Sequence, residues 1–154
     1  AGKLPPGSGD HGPPLQATEI SMKALLALTL LASPALGDEY IAFQSPTGNI
    51  HCGIYQWDGG TSVRCDLKEL TPTYTQPPPG CDYDWGQSFG LDAGGRGYLA
   101  CVSDAVIDRG NPVLDYGQAV SLGGISCVSA KTGMTCTNAE GHGFSVAKAK
   151  QKLF

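Results

Sequence analysis

Six cysteines are the feature of this 154-residue sequence that most restricts what it can fold into. All six follow an apolar segment that has the form of an export signal, and an even number of cysteines in an exported chain is typical of a disulfide framework. No C-x-x-C pair of the kind that zinc sites use occurs, and complete pairing leaves no thiol as a nucleophile. The sequence therefore predicts three disulfides, and neither a metal site nor a catalytic cysteine. The cysteines occupy positions 52, 65, 81, 101, 127 and 136.

The first pair follows from the turn between its members. Asp58-Gly59 favours a two-residue hairpin turn, because both central positions of that turn take a positive φ. This register sets Cys52 directly opposite Cys65, and directly opposed cysteines are close enough to bridge. Because side chains alternate across a strand, the face that carries the two cysteines is apolar throughout. Its other members are Ile50, Ile54, Val63 and Leu67.

The same argument applies to residues 124–138. A four-residue turn over 130–133 sets Cys127 opposite Cys136, with Ile125 and Met134 on the same face. Cys81 and Cys101 remain for the third bridge. A hairpin turning at 92–97 does not place them opposite each other, so this bridge is expected to join a loop to a strand.

The fold class is predicted to be all-β, a small single domain of short antiparallel strands and hairpins stapled by three disulfides. Short β-rich runs are separated by Gly, Pro and Asp clusters, and no long helical period competes with them. Residues 71–80 form an extended, polyproline-like connection. The closing residues 147–154 are expected to form a turn or two of helix. The expected strands are 40–44, 49–56, 62–67, 85–91, 97–103, 118–121, 124–129, 134–138 and 142–147.

The first part of the chain is expected to lie outside the folded domain. Met22-Lys23, an apolar run over 24–32 and the small residues Ala35 and Gly37 follow the order of a signal peptide. The run is too short to span a bilayer. We therefore expect an upstream extension over 1–21 that is not part of the natural protein, a signal peptide over 22–37 and a folded domain over 38–154. The protein is expected to be secreted or periplasmic, with no transmembrane segment after cleavage.

The charge of the chain excludes two classes of partner. The net charge is −4, and nucleic acids and anionic membranes both require a basic surface. No cofactor is expected, since no cofactor motif occurs. The expected partner is an unknown protein or an envelope component.

Three groups of residues are candidates for a site. The outward face of the first hairpin carries His51, Tyr55, Trp57, Arg64 and Asp66, and aromatic rings beside polar groups bind sugars or proteins, unless a second sheet or a loop covers them. The segment NAEGHGF places Glu140 and His142 in a glycine-flanked loop, where they would serve either acid–base catalysis with His51 or Asp66, or only a tight turn. The segment SPTGN at 45–49 has the residues of a structural, proline-led turn.

Several motifs occur in a fixed order over about residues 43–154: FQSPTGNIHC, VRCDL, PPPGCDYDWG, LACVSD, VLDYG and CVSAKTGMTCTNAEGHGFSV. Together they resemble a family of small exported bacterial proteins classed as a domain of unknown function. The resemblance implies an exported, disulfide-bonded single domain and brings no activity, cofactor or catalytic residue. The chain departs from the family pattern after GHGF, where Val146-Ala147-Lys148 stands in place of an expected Ser-Arg, so no arginine role is carried over.

These observations favour a non-enzymatic binding or interaction module. Disulfide-forming cysteines, turn residues and glycines dominate the sequence, and no series of nucleophile, base and orienting residue is visible. Small stapled domains present rigid surfaces at low entropic cost. One alternative is a small secreted hydrolase of envelope polymer that uses Glu140 and His142 as acid–base residues. A second alternative is a structural envelope protein that self-associates.

Overall fold

The computed structural model describes residue 12 and residues 37–154. Apart from residue 12 in the expected upstream extension and Gly37 at the end of the expected signal peptide, both of these segments lie outside the described residues. Among the residues that are described, no helix is long and apolar enough to cross a membrane.

The domain consists of two five-stranded antiparallel sheets, which confirms the all-β prediction. In each sheet every strand lies beside the strand that follows it in the sequence. The first sheet contains β1 (Glu39–Gln44), β2 (Ile50–Trp57), β3 (Gly60–Leu67), β4 (Ser88–Asp92) and β5 (Tyr98–Leu99). The second contains β6 (Ala119–Leu122), β7 (Ile125–Ala130), β8 (Gly133–Asn138), β9 (Gly143–Val146) and β10 (Gln151–Leu153).

The registers of the two cysteine-bearing hairpins are those that the turns predict. Cys52 lies opposite Cys65 in the β2–β3 pair, and Cys127 lies opposite Cys136 in the β7–β8 pair. The structure has disulfides at Cys52–Cys65, Cys81–Cys101 and Cys127–Cys136, the same pairs that the sequence analysis reaches. The Asp58-Gly59 turn fixes the first register, since Trp57 pairs with Gly60. The positive φ expected at both turn residues is wrong: the structure has a positive φ at Gly60, of 152°, and at neither Asp58 nor Gly59.

The core lies between the two sheets and includes both hairpin disulfides. The rings of Phe89 and Phe144, one from each sheet, lie 6.4 Å apart across it. Burial of this apolar surface is the main force that holds the sheets together. The buried apolar residues are Phe43, Ile50, Cys52, Ile54, Val63, Cys65, Leu67, Phe89 and Leu91 from the first sheet, and Ile125, Cys127, Met134, Cys136, Phe144 and Val146 from the second.

The helix expected over residues 147–154 is wrong, because this segment contains strand β10. The edge of β9 needs a hydrogen-bonding partner, and Phe154 exchanges backbone hydrogen bonds with Gly143. Gln151 is buried, its Oε1 accepts from the Thr73 backbone N–H at 2.9 Å, and its Nε2 donates to the Ala147 carbonyl at 2.8 Å. The strand therefore provides hydrogen-bond partners for the backbone of β9 and for the buried side chain of Gln151, and a short helix would leave these groups unpaired.

The expected strand over 97–103 is reduced to two residues, so the third bridge is placed differently. Cys101 lies after β5 and Cys81 lies before β4, and both are in loops. A single bridge pairing of Asp84 with Val102 runs beside them. The Cys81–Cys101 disulfide therefore joins two loops rather than a loop and a strand.

Candidate functional site

The outer surface of the first sheet carries four exposed aromatic side chains, and we call this surface the aromatic face. Alternation along the strands sends these rings away from the core, on the side opposite to Cys52 and Cys65. Exposed large apolar groups gathered on one sheet are typical of interaction surfaces. Their exposed fractions are Tyr40 55%, Tyr55 40%, Trp57 38% and Tyr98 41%.

Two of these rings, those of Tyr40 and Tyr98, lie directly on glycines of the neighbouring strands. A Cβ atom at Gly53 would collide with the ring of Tyr40, and a Cβ at Gly90 would collide with the ring of Tyr98. Both glycines are paired with Arg64, Gly53 from β2 and Gly90 from β4. The two tyrosine rings therefore lie over the strands on either side of Arg64, in positions that only glycine permits.

The other two rings lie at the β2–β3 end of the sheet. The planes of Tyr55 and Trp57 are nearly parallel, at 15°, and their centroids are 5.4 Å apart. The Tyr55 hydroxyl donates to Asp38 Oδ2 at 3.0 Å. Together with Asp58 and Ser62, these residues line a shallow depression. Aromatic surface and carboxylate oxygens are thus available side by side.

Arg64 is held by two carboxylates. Its Nε and Nη2 donate to both oxygens of Asp66 at 2.8 Å, and its Nη1 donates to Asp104 Oδ1 at 2.7 Å. Hydrogen bonding to Asp66 is the main cause that raises the pKa of Arg64, and the same guanidinium lowers the pKa of Asp104. The Arg64 guanidinium at the centre of the aromatic face is therefore already neutralised by acids of the domain itself.

A loop over residues 102–114 covers one end of the aromatic face. Asp66 Oδ2 accepts from the Val106 backbone N–H at 2.8 Å, and Gln44 Nε2 donates to the carbonyl of Asn111 at 2.6 Å. His51 lies between these anchors, opposite both Gln44 and Asp66. His51 and Asp66 are consequently buried, whereas the end that carries Tyr55 and Trp57 remains open.

His51 and Asp66 therefore do not form an accessible acid–base pair. Nε2 of His51 contacts the Gly48 carbonyl at 3.1 Å, while its Nδ1 has no hydrogen-bond partner among the described residues. Asp66 is occupied by Arg64 and Val106. A polymer in solvent could reach neither side chain.

Glu140 and His142 lie in the β8–β9 loop, which Asn138 organises. Asn138 Oδ1 accepts from the backbone N–H groups of Glu140 and His142, both at 3.1 Å. Glu140 Oε2 accepts from the Gly95 backbone N–H at 2.8 Å, so this carboxylate links the loop to the first sheet. The loop lies apart from His51 and Asp66, whose side chains are on the outward side of the first sheet, beneath the loop over residues 102–114. The structure does not bring the four candidate acid–base residues together.

Sequence reasoning missed Tyr40 and Tyr98 as members of the aromatic face. Tyr98 lies on a two-residue strand whose position depends on pairing with β4, and Tyr40 precedes the hairpin on β1. The signal that could have found them is the pair of glycines, Gly53 and Gly90, at strand positions where glycine is otherwise unfavourable.

The three tyrosines of the aromatic face have raised pKa values, and nearby carboxylates contribute in each case. Burial and then Asp92, whose Oδ1 accepts from the Tyr98 hydroxyl at 3.3 Å, raise the pKa of Tyr98 to about 12. Burial is the main cause of the raised pKa of Tyr40; the charge of Arg64 opposes this rise, and the charges of Asp66 and Asp108 add to it. The hydrogen bond to Asp38 is the main cause that raises the pKa of Tyr55.

In the described part of the chain, no group of three or more His, Cys, Asp or Glu side chains is arranged to hold a metal ion. The geometry offers rigid aromatic surface with carboxylates at its edges, which suits binding.

Comparison with known proteins gives a family and no activity. The model of DUF6636, described as a family of unknown function, matches residues 21–154. No curated protein and no solved structure matches the chain. The match spans both sheets, the aromatic face and the β8–β9 loop.

Proposed function

We propose that this chain, which belongs to DUF6636, a family of unknown function, is a non-enzymatic binding module. Its aromatic face holds a basic segment of a protein partner. The membership agrees with the resemblance that the motifs carry. The disulfides favour a location outside the reducing cytoplasm, as the signal-like segment at 22–37 also does.

The observation that carries this proposal is that carboxylates accompany three of the four rings of the aromatic face, those of Tyr55, Trp57 and Tyr98. The Asp38 carboxylate accepts a hydrogen bond from the Tyr55 hydroxyl, and the Asp92 carboxylate accepts one from the Tyr98 hydroxyl. Asp38 and Asp58 line the shallow depression that Trp57 also lines. At Tyr40 the largest charge effect is that of Arg64, and the carboxylates of Asp66 and Asp108 act more weakly in the opposite sense. A ring face attracts an ammonium or guanidinium group through its quadrupole, and an adjacent carboxylate adds an ion pair.

The charge balance of the aromatic face favours a basic partner over an acidic one. Arg64 is paired with two aspartates, which leaves the carboxylates near Tyr55, Trp57 and Tyr98 as the available charges. An acidic partner would meet like charge there, whereas a basic partner gains both affinity and a faster association rate.

The construction of the face also suits binding. Tyr, Trp and Arg are the residues that most often dominate binding energy in protein interfaces. The rings of Tyr40 and Tyr98 are fixed over Gly53 and Gly90, so little side-chain entropy remains to be lost when a partner docks.

No observation favours the hydrolase alternative. His51 and Asp66 are buried, and Glu140 is engaged by a backbone N–H from the first sheet. We therefore argue no catalytic role for these residues.

The proposal is tested by titrating the oxidised protein with a Lys/Arg-rich peptide, an acidic peptide of equal length and a soluble neutral glycan. Binding of the basic peptide should change the fluorescence of Trp57, and added salt should weaken that binding. The double variant Tyr55→Ala/Trp57→Ala should reduce affinity about tenfold or more in calorimetry, the loss expected for central aromatic anchors.

The matched control is Tyr83→Ala, since Tyr83 is exposed but lies outside the aromatic face. This variant should bind like the unaltered protein. Preference for the glycan, or equal loss of affinity in both variants, would overturn the assignment of a basic protein segment to this face.

A further inference from the structure

A second candidate site lies at the opposite end of the domain from Trp57. It is a cleft of about 400 Å³ between loops of the two sheets. The SPTGN turn, which precedes β2, forms one wall, and the β7–β8 turn forms another. Because β2 runs from Ile50 beside this cleft to Trp57, the cleft and the open end of the aromatic face are roughly 23 Å apart along the strand.

Three lysines from separate segments border this cleft. Lys68 follows β3, Lys131 lies in the β7–β8 turn and Lys148 follows β9. Residues 38–154 carry eight Lys and Arg residues in all, since Lys3 and Lys23 account for two of the ten in the chain. A large share of the cations of an acidic domain therefore gathers at one cleft.

The only acid that lines the described cleft is already paired. Lys148 Nζ lies 2.6 Å from Glu69 Oε2, and this hydrogen bond is the main cause that lowers the pKa of Glu69. Neither Lys68 nor Lys131 forms an ion pair within the part of the chain that the structure describes. Counting three lysines against one glutamate leaves the cleft with a charge of +2, in a chain whose net charge is −4.

The wall that brings these lysines together is built by specific hydrogen bonds. The Asn49 side chain donates to the Glu69 carbonyl and accepts from the Glu69 N–H, both at 2.9 Å, which fixes the segment that carries Lys68. Ser45 Oγ accepts from the Ile50 N–H at 3.1 Å and lies 3.1 Å from Thr47 Oγ1. The SPTGN turn is therefore structural, as the sequence indicates, and it also sets hydroxyl groups and a lysine-bearing segment around one space.

We propose that this cleft binds an anionic group, a phosphate or a carboxylate, carried by a ligand that is separate from the partner of the aromatic face. Lys68 and Lys131 supply the uncompensated positive charge, and the hydroxyl-bearing residues Ser45, Thr47 and Tyr116 also line the cleft. Lysine ammonium groups bind both kinds of oxyanion as point charges. The inference does not depend on the function of the aromatic face, because the two sites differ in position, charge and chemistry.

The test is a titration of the oxidised protein with inorganic pyrophosphate and, separately, with succinate, followed by amide chemical shifts. Shifts should concentrate at Gly48 and Gly133, on two walls of the cleft. The double variant Lys68→Gln/Lys131→Gln should weaken binding about tenfold, which corresponds to about 1.4 kcal/mol. The probe that binds more tightly identifies the source of the oxyanion as phosphate or carboxylate.

The matched control is Lys150→Gln/Lys152→Gln, which removes the same charge from exposed lysines that do not line the cleft. This control should retain the affinity and the shift pattern. Equal weakening in both double variants, or shifts spread over the surface, would show that net charge rather than the cleft attracts the anion and would overturn the proposal. Saturation by neither probe at millimolar concentration would overturn it as well.

Discussion

The sulfur of Cys65 lies 3.9 Å from the sulfur of Cys136, so the hairpin disulfides of the two sheets touch in the centre of the core. All four cysteines of these two bridges are fully buried. Each bridge ties its own hairpin, and their contact forms part of the packing between the sheets. The two disulfides therefore stabilise their own hairpins and, through their contact, the interface between the sheets.

We predict that removal of the Cys52–Cys65 bridge by Cys52→Ala/Cys65→Ala lowers the free energy of unfolding by more than loop closure alone explains. The closed loop accounts for about 3 kcal/mol, and the lost packing against Cys136 adds to it. The measurement is denaturant unfolding of oxidised protein. Removing Cys127–Cys136 as well should give a non-additive cost, with a coupling energy of about 0.5–3 kcal/mol, because the two bridges are in contact.

The Cys81–Cys101 bridge serves as the control in this cycle, since it joins two loops outside the core. Its removal should add to either of the other losses without coupling. Additive costs for the two buried bridges would contradict the view that their contact stabilises the interface.

A second prediction concerns the buried carboxylate of Asp66. Arg64→Gln should lower the free energy of unfolding by about 3 kcal/mol, since it leaves Asp66 buried without its charge partner. Asp104→Asn is the comparison, because Asp104 is exposed and its pair with Arg64 should contribute less than about 1 kcal/mol. Thermal and denaturant unfolding of both variants test this order, and a greater loss in Asp104→Asn would contradict it.

The third prediction identifies Asn138, rather than Glu140 or His142, as the residue on which the β8–β9 loop depends. Its Nδ2 donates to the carbonyls of Asp92 and Gly95, and its Oδ1 accepts from two N–H groups of the loop. Asn138→Ala should therefore cost about 2–4 kcal/mol of stability, at about 1 kcal/mol for each hydrogen bond. His142→Ala should cost less than about 1 kcal/mol. Denaturant unfolding compares the two, and equal costs would contradict the assignment.

The features that sequence predicts well are those that a turn fixes locally. Asp58-Gly59 determines which residue faces Cys52, so the register, the disulfide and the buried face of the hairpin all follow from a two-residue turn. The second hairpin follows in the same way from its turn.

The features that sequence misses depend on contacts between distant segments. The loop over 102–114 covers His51 because its backbone bonds to Gln44 and Asp66, which lie far away along the chain. Residues 151–153 become a strand because the edge of β9 is free to pair. The aromatic face is found only in part for the same reason, since Tyr98 reaches it through the pairing of β5 with β4.

The last prediction uses the tyrosines of the aromatic face as reporters of pH. Burial and Asp92 raise the pKa of Tyr98 to about 12 in the folded protein, whereas an unfolded tyrosine ionises near its ordinary value of about 10. Between these two values the unfolded chain has lost the proton that the folded protein keeps, so stability is present in full below about pH 10 and is lost as the pH rises toward 12.

Tyr98→Phe keeps the ring over Gly90 and removes the ionising hydroxyl. The free energy of unfolding of this variant should therefore decrease less as the pH rises. The loss should not vanish, because the pKa values of Tyr40 and Tyr55 are raised as well. Unfolding measured across alkaline pH, together with the near-ultraviolet absorbance of phenolate, compares this variant with the unaltered protein. Tyr83→Phe is the control, and an equal flattening in that variant would show that the stability loss does not arise from the ring over Gly90.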